Sequence, residues 1–286
     1  MGGKIDMNEK KSVNSLKRQM AAAIAMVLVA GIALGSATYA WFVTNNKVDA
    51  TTTNISAQSN SAYLVIDTKK TDTSSTSSAT AAEEVGAGKT YADKAIYPAQ
   101  WANGFTATKE ASTTDGIYQF ESAYASEKGA TTEKSGTRFA VGAPAAAVTA
   151  DYAIGNKFFI GTGTYDGEFK NLKVDNLTVS TPSNVADSKG LDAALRVLVY
   201  VNQDNWAVVS STGVEKSCLA GTVVTQGDNL GIIHSAAFGK DAGDVEMTLY
   251  VYYDGADEQV YTTNLSNLQK EVGATVSFSA TATEHK

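Results

Sequence analysis

Apolar and polar residues alternate in short runs along most of this chain, and the period is two. Val245–Tyr253 (VEMTLYVYY) places Val245, Met247, Leu249, Val251 and Tyr253 on one parity, which predicts a strand with that face buried. Leu195–Val201 (LRVLVYV) is the most hydrophobic run and predicts a second strand. The polar tetrad Asn202–Asn205 leads from it into Trp206–Ser210, so the two runs read as a hairpin. Ser61–Asp67 predicts a first strand, with Tyr63, Val65 and Asp67 on one face and Leu64 and Ile66 on the other. Ala95–Trp101 is an edge piece, because Pro98 has no N–H to give a ladder. Thr137–Val141, Lys157–Thr162, Gly221–Thr225, Gly231–His234 and Ala274–Ala280 are further strands, the last with Val276 and Phe278 inward, and the small, apolar stretch Ala145–Ile154 lies among them.

Phe169–Thr181 changes parity, with Leu172 and Val174 on one face and Leu177 and Val179 on the other, so a bulge or turn is expected near Asp175 and Asn176. Gly190–Ala194 predicts one helical turn, and Leu265, Leu268 and Val272 stand at helical spacing within 260–272. Residues 68–90 form a polar, low-complexity stretch read as a long surface loop. From 102 to 136 only Gly116–Phe120 is firmly apolar. About ten short strands with turn signals between them predict an all-β protein, a jelly-roll-like β-sandwich with long surface loops and one or two short helices. No convincing repeat is present, which argues against a solenoid or propeller.

The segment Lys17–Phe42 breaks this pattern. Basic residues Lys10, Lys11, Lys17 and Arg18 precede an apolar run from Met20 to Leu34, and small residues then lead to Ala40. That order is the layout of a secretory signal peptide, and the run is shorter than the ~20 residues of a membrane-spanning helix. Cleavage is expected between Ala40 and Trp41, with Ala37 as second choice. The alternative is an uncleaved anchor, since no charge occurs between Met20 and Thr44, and Tyr39 and Trp41 could sit at the membrane interface. Gly31, Gly35, Ser36 and Thr38 weaken a helix where an anchor would continue. The expected organisation is a signal peptide over 1–40, an extended segment over 41–60 and a β domain over 61–286.

Charge narrows the partners. The formal net charge of −7 becomes −10 once residues 1–40, with five basic and two acidic groups, are removed. Such a chain has no reason to seek nucleic acid, and its membrane contact is expected to be transient, through the signal segment. Cys218 is the single cysteine, so no intrachain disulfide can form, and no cysteine follows the apolar run to take a lipid. SFSATATEHK, at the C-terminal end, carries no hydrophobic tail or sorting motif.

Two stretches carry a family resemblance. ALGSATYAWFVTNNKVDATTTNISAQSNSAYLVI, with Gly35, Thr38, Tyr39, Ala40, Phe42, Asn45, Asn46, Thr53 and Ile55, resembles the start of the TasA/camelysin family of exported bacterial proteins. MTLYVYYDGADEQVYTTNLSN and the later ATVSFSATA are similar to that family's late strand, turn and final strand, while the middle of the chain departs from it. The resemblance implies removal of the signal by a dedicated signal peptidase and a secreted jelly-roll subunit that polymerises into extracellular fibres of a biofilm matrix at the cell surface. It also implies head-to-tail self-association, in which the segment after the cut acts as a donor strand. Trp41, Phe42, Val43, Val48 and Ile55 are the donor-strand candidates. Their segment lacks helical periodicity, and a strand added to a sheet edge gains main-chain hydrogen bonds while alternate side chains fill pockets. The competing expectation is that residues 41–60 pair with their own domain or stay a free tail.

Catalysis finds little support. The histidines are His234, in an apolar strand, and His285, near the end, and no HExxH pair, GxSxG elbow or P-loop lysine is present, so no enzyme is expected. No cofactor is called for, although Asp254, Asp257 and Glu258 in one turn, and Asp241 and Asp244 in another, could offer oxygens to Ca²⁺. The sequons at Asn54, Asn176 and Asn264 carry little weight in a chain this rich in Asn, Ser and Thr. A second class of function is a monomeric surface adhesin or carbohydrate-binding sandwich, with Trp101, Trp206, Tyr252 and Tyr253 as a sugar platform, although core packing is the commoner use of such residues.

Overall fold

The computed structural model describes residues 19–20, 23–24, 26, 55–59, 64–68, 78–80, 96–103, 118–123, 140–163, 165–180, 191–264 and 273–283. The cleavage pair Ala40 and Trp41, the donor candidates Phe42, Val43 and Val48, and the 265–272 part of the expected helix lie outside them. Two compact units divide the chain, Met1–Asn45 and Asn46–Lys286. In the first, Gln19, Met20, Ala23, Ile24 and Met26 are helical and exposed. Among the described residues no helix is long and apolar enough to cross a membrane.

The second unit is all-β and sandwich-like. Its early strands are β1 (Ile55–Ser59), β2 (Val65–Asp67), β3 (Ser78–Thr80), β4 (Ala99–Asn103), β5 (Tyr118–Ser122) and β6 (Ala140–Gly142). The helix α1 (Pro144–Thr149) leads to β7 (Ile154–Gly161) and β8 (Glu168–Ser180), and a 3₁₀ turn over Leu191–Ala194 leads to β9 (Leu195–Asn202). β10 (Asn205–Ser210), β11 (Gly213–Leu219), β12 (Thr222–Val224), β13 (Ile232–His234), β14 (Phe238–Gly239), β15 (Val245–Tyr253) and β16 (Gly273–Ala282) complete the order.

A central antiparallel sheet runs β12-β11-β10-β9-β15-β7-β2. A second sheet runs β13-β8-β16-β1-β3, with β14 also on β8. Side-chain parity explains their stacking. Val245, Met247, Leu249, Val251 and Tyr253 of β15 join Leu195, Val197 and Val199 of β9 in a core shared with Phe169, Leu172, Val174 and Leu177 of β8 and Val276 and Phe278 of β16. The opposite parity is also apolar: Leu198, Trp206, Val208, Tyr250 and Tyr252 form a separate core with Trp101, Phe120, Ala147 and Val148. That core is closed by a third layer, the antiparallel sheet β4-β5-β6 with α1. The central sheet is therefore packed on both faces, which its near-continuous apolar strands require.

The parity change near Asp175 is a bulge inside one long strand. Asn176 pairs with Ser277 and Val174 with Phe278, so Asp175 has no residue opposite and every side chain before it switches face. Ser279 Oγ donates to Asp175 Oδ1 at 2.8 Å, giving the extra residue a partner. The hairpin at 202–205, the 3₁₀ turn before β9 and the inward set on β15 follow the sequence expectation.

Other expectations are corrected. The 68–90 loop contains a strand, because Ser78–Thr80 pairs with β1 and satisfies that strand's outer edge. The stretch Ala145–Ile154 divides: Pro144 starts α1 at a position where its missing N–H costs nothing, and the chain turns at Asp151 before β7. Residues 260–264 form turns rather than the start of a helix. β11 was not expected, since Glu215 is extra at an irregular β10–β11 register and hides the alternation.

Candidate functional site

Ile55, the one donor candidate among the described residues, opens β1. This strand lies between β16 and β3 in the second sheet. It runs parallel to β16 in a register from Ile55↔Ala274 to Ser59↔Phe278. On its other side it is antiparallel to β3, with Ser56↔Thr80, Ala57↔Ala79 and Gln58↔Ser78. A strand from the N-terminal part of the domain thus docks beside the last strand of the chain, through main-chain groups on both edges.

The proposed sugar platform is not a surface. Trp101, Trp206, Tyr252 and Tyr253 are each 2% exposed or less. Trp101 is ringed by Tyr118, Phe120, Tyr200 and Trp206 at centroid distances of 5.2–6.2 Å, in mostly tilted or edge-on geometries. Trp206 Nε1 donates to Gln203 O at 3.1 Å. Trp101, Trp206 and Tyr252 pack the central sheet against the third layer, Tyr253 packs in the core shared with the second sheet, and a buried ring cannot stack on a saccharide from solvent. Burial pushes the Tyr252 and Tyr253 hydroxyls well above the usual phenol range, so both stay neutral.

The acidic turn whose oxygens could be offered to Ca²⁺ faces a guanidinium. Arg196, on the same face of β9 as Leu198, is 9% exposed. Its Nε lies 2.7 Å from Glu215 Oε1 and 3.9 Å from Asp254 Oδ2, and its Nη2 lies 3.5 Å from Asp257 Oδ2. Nη1 donates to Ala193 O at 2.6 Å. Asp254 and Asp257 are thereby committed to a protein cation, while Glu258 accepts from Gln259 Nε2 at 2.8 Å. Among the described residues, Asp241 and Asp244 included, no group of three His, Cys, Asp or Glu side chains could hold a metal ion.

Burial raises the Asp254 carboxyl, opposed by the Ala256 N–H and the Arg196 charge. Lys216 is lowered by burial, and its Nζ donates to Trp101 O at 2.5 Å. The cluster ties β9, β11 and the turn after β15 together, and Lys216 adds β4. Nothing in the spacing of Arg196, Glu215, Asp254 and Asp257 announced it; the only signal was an arginine inside an otherwise apolar strand.

His234 is half-buried in β13, and burial lowers its imidazole, consistent with a strand residue. Cys218 is a buried free thiol whose pKa burial raises, the opposite of what a nucleophile needs. The Asn264 sequon is buried, and its Nδ2 donates to Gln259 O.

Fold and geometry define the class: an all-β, predominantly antiparallel sandwich with a third layer. No protein-family model, curated protein or solved structure matches the chain.

Proposed function

We propose that this chain is a secreted structural subunit that polymerises into extracellular fibres at the cell surface, its N-terminal segment serving as the strand that joins one copy to the next. The subunit is a jelly-roll-like member of the TasA/camelysin family, a signal peptidase cuts it between Ala40 and Trp41, and its partner is a second copy of itself. It carries no catalytic or metal-binding role.

The observation that supports this reading most is the position of β1. A strand drawn from the start of the domain is held beside the last strand by main-chain pairing in a parallel register. Main-chain pairing between segments distant in sequence is the kind of contact that another copy's segment can also make. Addition in a head-to-tail sense does not close on itself, so it yields filaments. Removal of the signal would then free the joining segment only after export.

The test is electron microscopy of the secreted protein, with N-terminal sequencing to place the cut. Ordered filaments from the processed chain are expected, and deletion of Trp41–Ser56 should abolish them. Filaments that survive the deletion, or a processed wild type that stays monomeric at high concentration, would overturn the proposal.

A further inference from the structure

We infer that the third layer, β4, β5, β6 and α1, is a clasped cap that opens from the central sheet as one unit while the two-sheet sandwich stays folded, with Lys216 as its principal clasp. This holds for the single subunit, whether or not it assembles.

Topology makes the cap separable. Its four elements follow one another in the chain, and among the described residues β4, β5 and β6 pair with one another, apart from a single bridge between Ala99 and Asp254. Entry and exit are strapped together: Tyr97 N–H donates to Asp151 O at 2.7 Å, and the Tyr97 and Tyr152 rings lie 5.3 Å apart. The chain thus leaves the sandwich and returns to it at one place. Behind that strap the central sheet is unbroken, because β2 pairs directly with β7.

The core between the two large sheets is complete without the cap. None of the buried residues that join β7, β9 and β15 to β8 and β16 comes from β4, β5, β6 or α1. The cap packs instead on the other face, with Trp101, Phe120 and Val148 against Trp206, Tyr250 and Tyr252. An element group with its own hydrogen-bond ladder and one packed face is the kind that opens sub-globally.

Three hydrogen bonds of one kind attach it. In each the sandwich donates and a main-chain carbonyl of the cap accepts: Gly255 N–H to Ala99 O at 2.8 Å, Lys216 Nζ to Trp101 O at 2.5 Å, and Gln203 Nε2 to Tyr118 O at 3.0 Å. Lys216 is the one charged donor of the three, which makes its bond the strongest. Its Nζ also lies 5.5 Å from the Tyr118 ring centroid, so one side chain of β11 holds both β4 and β5. When the cap lifts, the ammonium passes into water, where it is strongly hydrated, and no buried charge is stranded. The Arg196 cluster stays whole, because Glu215, Asp254 and Asp257 all belong to the sandwich side.

Hydrogen exchange followed by mass spectrometry, on the secreted chain in urea below its unfolding midpoint, tests the cap. In the wild type the amides of β4 and β5 should exchange through an opening that leaves β9 and β15 protected. Lys216→Met should speed exchange in β4 and β5 by roughly tenfold or more, the loss of a hydrogen bond to a charged group, with β9 and β15 at wild-type rates. It should also bind an apolar fluorescent dye at urea concentrations where β9 and β15 remain protected, because the uncovered face carries Trp206, Tyr250 and Tyr252.

Wild-type β4 and β5 exchanging in step with β9 and β15 would overturn the separable cap, and that comparison needs no variant. Unchanged exchange in Lys216→Met would overturn the clasp. A Lys216→Met chain that cannot fold counts against the inference too, since the sandwich would then depend on its cap. Gln203→Ala, which releases Tyr118 O, should speed the same amides by a smaller factor; acceleration spread evenly over β9 and β15 would overturn the inference from a second side.

Discussion

Asn156 is placed where the physics of the core says an apolar residue belongs. It lies on the inward face of β7 with Ile154, Phe158 and Ile160, opposite Leu249, and is 1% exposed. Neither its Oδ1 nor its Nδ2 has a hydrogen-bond partner among the described residues. A buried, unpaired polar group costs about 1–3 kcal/mol relative to a satisfied one. Asn156→Leu keeps the branching of the side chain while replacing the amide oxygen and nitrogen with methyls, each worth about 0.8 kcal/mol when buried. Part of that gain is offset by ordering the new side chain and by its slightly larger volume. The expected net stabilisation is about 2 kcal/mol, equivalent to roughly 4–8 °C in a domain of this size. Urea unfolding of the processed chain, followed by the fluorescence of the buried Trp101 and Trp206, should show a higher midpoint with an unchanged slope. Asn156→Asp, which puts a charge in the same place, should destabilise by more than about 3 kcal/mol or fail to fold. An unchanged or lower midpoint for Asn156→Leu would mean that the amide is satisfied after all, and the assignment of Asn156 as an unpaired core group would be wrong.

Arg196→Met should cost about 3 kcal/mol at pH 7, because it leaves Glu215, Asp254 and Asp257 facing one another without their cation. Asp254 is raised in the folded state, so its protonated form favours folding: that contribution is fully present below its unfolded pKa and is lost as the pH rises through the folded value. The variant's deficit should consequently shrink as the pH is lowered from 7 towards 5, read as the difference in urea midpoint from wild type; a deficit that grows would refute this. Ala220 sits at φ 49° in the tight turn between β11 and β12, ahead of Gly221 at φ 79°. Ala220→Asn, which tolerates that conformation better, should stabilise by about 0.5–1 kcal/mol in thermal unfolding. Gly255→Ala would bring a Cβ to 1.7 Å from Ala123 O, a backbone atom that cannot move aside cheaply. A loss of more than about 2 kcal/mol is expected, and a neutral result in the same assay would mean the turn after β15 shifts freely. Ala57→Pro should abolish assembly while Ala57→Ser leaves it intact, because β1 has a neighbour on both sides and proline removes an N–H; filament yield by sedimentation is the readout.

What could be read from the residues depended on whether side chains or main chain made the contact. β15 and β9 were legible because one parity of each is an unbroken row of large hydrophobic side chains. The apolar residues on their other parity, Leu198, Tyr250 and Tyr252, are buried on a second face that the sequence reading did not anticipate. The cover comes from short pieces around Trp101, Phe120 and Val148, separated by polar sequence, and their partnership is a matter of long-range packing rather than local pattern. Arg196 behaves similarly: an arginine in an apolar strand announces that carboxylates must be near, but the bulge at Glu215 and the turn carrying Asp254 and Asp257 bring them there from two different parts of the chain.

β1 and β3 left the least trace. ISAQS has a single large apolar residue and SAT has none, so no periodicity marks either as a strand. β1 is a strand because β16 presents a row of main-chain groups that something must satisfy, β3 because β1 presents the next such row, and a ladder of N–H and C=O groups accepts almost any residue except proline. The same indifference bears on the proposed joint. The ladder between β1 and β16 is made of main-chain groups, which the equivalent strand of a neighbour carries as well.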